Sequence, residues 1–110
     1  MADLAAAVER HVAGFNHAVR TQDFGAFVAA FAEDAAMRFT NVPAGPFQGR
    51  AAIAAAYAAQ PPTDTMTVAG VEEVDPQTAR VRFDWDAGGS GTMVLRWRDE
   101  QVADLEIAFD

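Results

Sequence analysis

The spacing of apolar residues changes at Pro61-Pro62, and that change constrains the fold more than any single motif. Before it, apart from a short alternating stretch at 35–40, the apolar residues recur at three- and four-residue intervals; beyond it they alternate. In 79–86, Val81, Phe83 and Trp85 share one face, and Arg80, Arg82, Asp84 and Asp86 share the other. In 92–98, Met93, Leu95 and Trp97 oppose Thr92, Val94, Arg96 and Arg98. In 102–109, Ala103, Leu105, Ile107 and Phe109 oppose Val102, Asp104, Glu106 and Ala108. A further strand with Met66, Val68 and Val71 is expected over 66–74. Asp75-Pro76-Gln77-Thr78 suits a type I turn, Ala87–Gly91 is a flexible hairpin loop, and Arg98–Gln101 turns again. One face of the resulting sheet carries no ionisable group and must be covered. The other mixes signs on adjacent strands, where cross-strand pairs contribute about 0.2–1 kcal/mol each.

The cover has to come from the N-terminal half. Leu4, Val8, Val12, Phe15 and Val19 form one stripe of a helix over 3–22, with Asp3 as its N-cap. Asp23 is expected to cap a shorter helix over 24–33, with Phe24, Phe27, Val28 and Phe31 on its apolar side, and Asp34 to close that region. Ala35–Thr40 reads as a strand, with Met37 and Phe39 facing one way and Arg38 and Thr40 the other. Asn41-Val-Pro-Ala-Gly-Pro is a loop of turn formers. Gly49-Arg50 opens an alanine-rich third helix carrying Ile53 and Tyr57, which Pro61-Pro62 stops. The expected fold is therefore α+β: a cone-shaped, curved antiparallel sheet wrapped by three N-terminal helices.

The chain's 110 residues make one expected domain, 1–110, and 51% hydrophobic with 22% charged residues is a globular balance. The absence of cysteine removes disulfide and thiolate chemistry. A net charge of −8, with acids interleaved among Arg80, Arg82, Arg96 and Arg98, opposes nucleic-acid binding. No apolar run reaches the roughly 18 residues of a membrane span, and no signal segment is visible, so the cytoplasm is expected. His11 and His17 lie on different sides of one helix, and Gly88–Gly91 lacks the lysine and helix start of a phosphate loop. Neither a metal nor a cofactor is expected.

Three short segments carry a family resemblance: Gln22-Asp23-Phe24, Phe31-Ala-Glu-Asp-Ala and Phe47-Gln-Gly-Arg-Ala-Ala-Ile. With the strands that follow, the chain resembles the nuclear transport factor 2-like superfamily, the cone fold of ketosteroid isomerase and SnoaL-type polyketide cyclases. The resemblance to ketosteroid isomerase implies an oxyanion-donating tyrosine on the first helix, a carboxylate base on the first strand and a protonated acid on a later strand. Those positions fall here at Phe15, at Phe39, and at or beside Met93. None of the three can donate a hydrogen bond or take a proton. Only Tyr57 matches, at the place of a supporting tyrosine. Isomerisation by that mechanism is therefore not expected.

The expected function is a small-molecule site, either of a binding protein or of an enzyme of unfamiliar chemistry, with a pocket for a hydrophobic ligand such as a steroid, terpenoid or polyketide. Its lining is expected to include Phe15, Phe39, Tyr57, Phe83, Trp85, Met93, Trp97 and Phe109. The alternative is a cone filled by its own side chains and used as a dimerisation or interaction module. The five alanines Ala51, Ala52, Ala54, Ala55 and Ala56 of the third helix favour open space. His11 is read as a residue on a helix flank, the sharper reading being a general base. His17 is read as exposed, and Asn41 as turn chemistry with a ligand contact as the sharper reading. A homodimer is expected through the outer sheet face, centred on Val94 and Ala108.

Overall fold

The computed structural model describes residues 3–110. Helix α1 runs over Leu4–Thr21, and the Asp3 carboxylate accepts the Ala6 amide at 3.2 Å, as its capping role predicts. Leu4, Val8, Val12, Phe15 and Val19 are all buried. The helix stops at Gln22, which is left-handed at φ 56° and sends its side-chain amide to the carbonyls of Val19 (2.9 Å) and Pro62 (3.1 Å). Asn16 was not anticipated as a fastener. Its amide bonds both backbone groups of Met66 at 2.9 Å and fixes α1 to the sheet.

Helix α2 covers only Gly25–Ala29, shorter than the expected 24–33. Phe24 is its N-cap, and Asp23 instead accepts the Gly25 amide at 3.0 Å. Phe31 and Asp34 belong to strand β1, Phe31–Thr40, rather than to the helix. A bulge accounts for the difference. Phe31 lies opposite Val102 and Ala36 opposite Asp104, so extra residues are looped into β1 between them and its alternation is broken. The bulge is used: the Gly49 amide donates to the Ala35 carbonyl at 2.7 Å, and Gln48 donates to the Asp34 carbonyl at 3.2 Å. These contacts hold strand β2, Phe47–Gln48, and start helix α3, Arg50–Ala59.

Strands β3 (Met66–Asp75), β4 (Thr78–Trp85), β5 (Ser90–Arg98) and β6 (Gln101–Phe109) form an antiparallel meander. The six-stranded sheet is ordered β2-β1-β6-β5-β4-β3, and the three helices cover one face of it. One pair departs from the antiparallel expectation, since β1 and β6 are parallel. No hairpin joins them; α3 and the whole meander form the crossover, so no tight turn sets their direction. Gly91 lies between Phe83 and Phe109 on neighbouring strands, and a Cβ there would come within 2.7 Å of the Phe83 ring. Its lack of a side chain lets that ring lie across the sheet.

The two faces divide as the alternation predicts. Met37, Val81, Phe83, Met93, Leu95 and Leu105 are almost wholly buried beneath the helices. On the outer face Arg38 grips Asp104 with two hydrogen bonds of 2.9 and 2.8 Å across the parallel pair. Arg80 pairs with Glu72 at 2.6 Å, Arg82 with Asp110 at 3.1 Å, and Arg98 with Asp34. Asp86 takes threonine rather than arginine partners, accepting from Thr65 and Thr67. These pairs are half-exposed, so their net contributions are small. Val102 and Ala103 are both buried, because a register shift opposite Trp97 interrupts the alternation of β6. Among the described residues no helix is long and apolar enough to cross a membrane.

Candidate functional site

The helices do not close completely on the sheet. Near the Asn41–Pro46 loop they leave a cavity of about 580 Å³. The sheet supplies Met37 and Phe39 from β1, Phe83 and Trp85 from β4, Met93 from β5, and Ile107 and Phe109 from β6. Register explains the grouping: Phe39 and Met93 both lie opposite Ile107, and Gly91 lies opposite both Phe83 and Phe109. The helices supply His11 and Phe15 from α1, Phe27 from α2, and Ala56 and Tyr57 from α3. Val42, Pro43 and Ala44 form part of the rim.

Seven of the eight residues expected to line a pocket meet here: Phe15, Phe39, Tyr57, Phe83, Trp85, Met93 and Phe109. Trp97 does not. It is opposite Val102 by the β5–β6 turn, and with Arg10, Gly14 and Phe27 it lines a separate recess of about 270 Å³ under α1 and α2. Alternation assigned it to the correct face, but the cavity occupies only one end of that face. Phe27 and Phe47 were missed as lining residues. Phe27 was legible as apolar helix packing, whereas Phe47 and the rim residues 42–44 have no periodic signal.

Aromatic contacts run round much of the wall. The Tyr57 ring meets Phe27 edge-on at 5.6 Å, and Phe27 meets Phe15 at 5.7 Å. Phe15 lies 6.1 Å from Trp85, which stacks on Phe109 at 6.2 Å; Phe109 stacks on Phe39 at 6.0 Å. Such pairs add about 0.5–1.5 kcal/mol each beyond burial, so the wall is held in shape by its own side chains. The polar side chains on it belong to His11, Tyr57 and Gln60; among the described lining residues there is no Asp, Glu, Lys or Arg.

His11 faces both cavities, with its ring 5.1 Å from Phe27 and 6.0 Å from Phe31. It is thus a partly buried flank residue that also reaches the candidate site. Burial pushes its pKa down to about 4, which leaves a neutral imidazole at physiological pH. In the unfolded chain it would protonate near about 6.5. Between those values the unfolded state binds the extra proton, so stability is full above the upper value and falls as pH falls toward the lower. Thermal unfolding should therefore lose more stability between about pH 7 and about pH 5 in the parent protein than in His11→Phe. Equal losses would contradict the burial of a neutral His11. The outer carboxylates contribute in a lower window: Asp34, Asp86 and Asp110 are held below the usual carboxylate range, chiefly by hydrogen bonds from Arg98, from Thr65 and from Ser90. His17 is exposed, as expected. Asn41 is structural: left-handed at φ 73°, it donates its side-chain amide to the Phe109 carbonyl at 2.8 Å.

Tyr57 is buried, and desolvation raises its phenol pKa well above normal. Its hydroxyl meets Met37 Sδ at 3.5 Å. The phenol therefore stays protonated and is a donor rather than a base.

Comparison with known proteins agrees with this architecture. The chain matches the SnoaL-like domain over residues 2–105. No curated protein matches the sequence. Among solved structures, an isomerase candidate from Bacillus subtilis superposes with a TM-score of 0.81 at 17% identity, over 98% of this chain and 89% of that one. The epoxide hydrolase/cyclase-like enzyme SalBIII, which has a role in pyran ring formation in the polyether salinomycin, gives 0.75 at 16% identity, over 100% and 95%. A polyketide cyclase candidate from Sinorhizobium meliloti gives 0.63 at 24% identity, over 89% and 93%. At these identities the superpositions establish a shared fold. The matched span, nearly the whole chain, places this protein in the SnoaL-like domain family of the nuclear transport factor 2-like superfamily.

Proposed function

We propose that this protein binds a hydrophobic small molecule in the cavity between its helices and its sheet. The carrying observation is the volume of about 580 Å³ behind a largely aromatic and aliphatic wall. Ligand sites typically begin at about 300 Å³ and combine apolar walls with few polar groups. A cone filled by its own side chains would leave no such space. Isomerisation by the ketosteroid isomerase mechanism does not suit the wall. Phe15, Phe39 and Met93 stand on it where the resemblance would require a donor and two acids. Losing a base and two oxyanion donors forfeits roughly 10²–10³ for each group.

The same reading pairs two copies through the outer sheet face. Val94 and Ala108 are half-buried there, beside the ion pairs of Arg38 and Arg82. Native mass spectrometry of freshly purified protein tests both parts. The expected spectrum shows a dimer mass and an adduct of one uncharged organic molecule per chain. A monomer that takes up no added apolar compound would defeat the reading; a monomer that does take one up would remove only the dimer.

A further inference from the structure

The wall of the cavity holds one hydroxyl that the fold leaves poorly served. Tyr57 is 7% exposed, and its ring is fixed by stacking on Phe24 at 5.2 Å and by the edge contact with Phe27. That packing directs the hydroxyl to Met37, whose thioether is 3.5 Å away and is the hydrogen-bond partner it has. A thioether is a weak acceptor. Buried tyrosine hydroxyls ordinarily find an oxygen or nitrogen partner, because an ill-satisfied buried donor is costly. Tyr57 and Met37 both line the cavity, so a bound molecule can offer what the fold does not.

The remaining chemistry narrows that molecule. An ionised ligand would be desolvated against a wall whose described residues include no opposite charge. A ligand hydroxyl facing Tyr57 would bring a second donor needing its own acceptor among Met37, Phe27 and Ala56. A carbonyl oxygen accepts strongly and brings no donor. We propose that Tyr57 is the recognition donor of the cavity, and that its ligand is an uncharged, mainly apolar molecule presenting a carbonyl oxygen to the phenol. The inference rests on the binding function proposed above and adds the ligand's polar group and the residue that selects it.

Fluorenone and fluorene test it, since they share a rigid skeleton and differ in a carbonyl against a methylene. In calorimetric titrations the parent protein should bind fluorenone about tenfold more tightly, the scale of one well-placed hydrogen bond. Tyr57→Phe should remove that preference, so that the ratio of the two affinities falls to about one. Infrared spectra should show the bound carbonyl stretch at lower frequency in the parent complex than in the Tyr57→Phe complex. Equal affinities in the parent protein, or a ketone preference that survives in Tyr57→Phe, would overturn the assignment while leaving the cavity as a binding site. Failure of both compounds to bind would overturn the binding function and this assignment with it.

Discussion

With tryptophan in place of Ala56, the protein should lose affinity for apolar ligands by about 100-fold or more while keeping its fold. Ala56 is half-buried on α3, beside Tyr57, and its methyl faces the cavity. An indole there would occupy space that the account assigns to ligand. Excluding a ligand from about 100 Å² of apolar wall removes about 2.5 kcal/mol, and steric overlap adds to that. Stability should change by less than about 1–2 kcal/mol, because the new ring enters an open space rather than a packed core. Ala51 and Ala54 make the useful control, since they line an open groove on the other side of α3. Larger residues at those two positions should leave ligand affinity unchanged. Calorimetric titration with fluorene reads all three variants; retained affinity in Ala56→Trp would place binding elsewhere.

Phe31→Ala should cost about 3–5 kcal/mol of folding stability, the usual penalty for a large aromatic removed from a closed core. Phe31 has no measurable exposure, and its ring meets Phe27 edge-on at 5.4 Å. Its backbone is a junction as well. The Phe31 carbonyl accepts from Arg50 at 3.2 Å and from Gln101 at 3.5 Å, and the Val102 amide donates to the adjacent Ala30 carbonyl at 3.1 Å. The residue thus ties α2, α3 and the start of β6 together. A penalty of this size is a large share of the about 5–15 kcal/mol that holds an ordinary domain. Urea unfolding should show a much lower midpoint at unchanged slope. A loss under about 1 kcal/mol would contradict the central place given to Phe31.

Phe31 also marks where the sequence was hard to read. It completes an apolar helical spacing with Phe24, Phe27 and Val28, yet α2 ends at Ala29. The bulge between Phe31 and Ala36 removes the alternation that would have revealed a strand. Where pairing is regular, alternation reports burial directly: Val81, Phe83, Met93 and Leu95 alternate in sequence and are buried in the structure. The parallel pairing of β1 with β6 left no local trace, because no turn joins them. Periodicity also reports a face and not a position along it. Trp85 and Trp97 were equivalent by alternation, but Trp85 lines the large cavity and Trp97 the recess at the other end. Of the α3 alanines, Ala56 faces the cavity while Ala51, Ala54 and Ala55 are exposed, so small size alone does not report where a helix faces open space.

That contrast between the two tryptophans provides the most direct test of a ligand cavity at this end of the cone. The chain has two indole N–H groups, and each gives its own signal in a nitrogen–proton correlation spectrum. Titration with fluorene should move the Trp85 signal along a saturating curve, together with the backbone amides of Phe39 and Phe109, and leave the Trp97 signal in place. A spectrum that does not change, or changes centred on Trp97 or the outer sheet face, would contradict it.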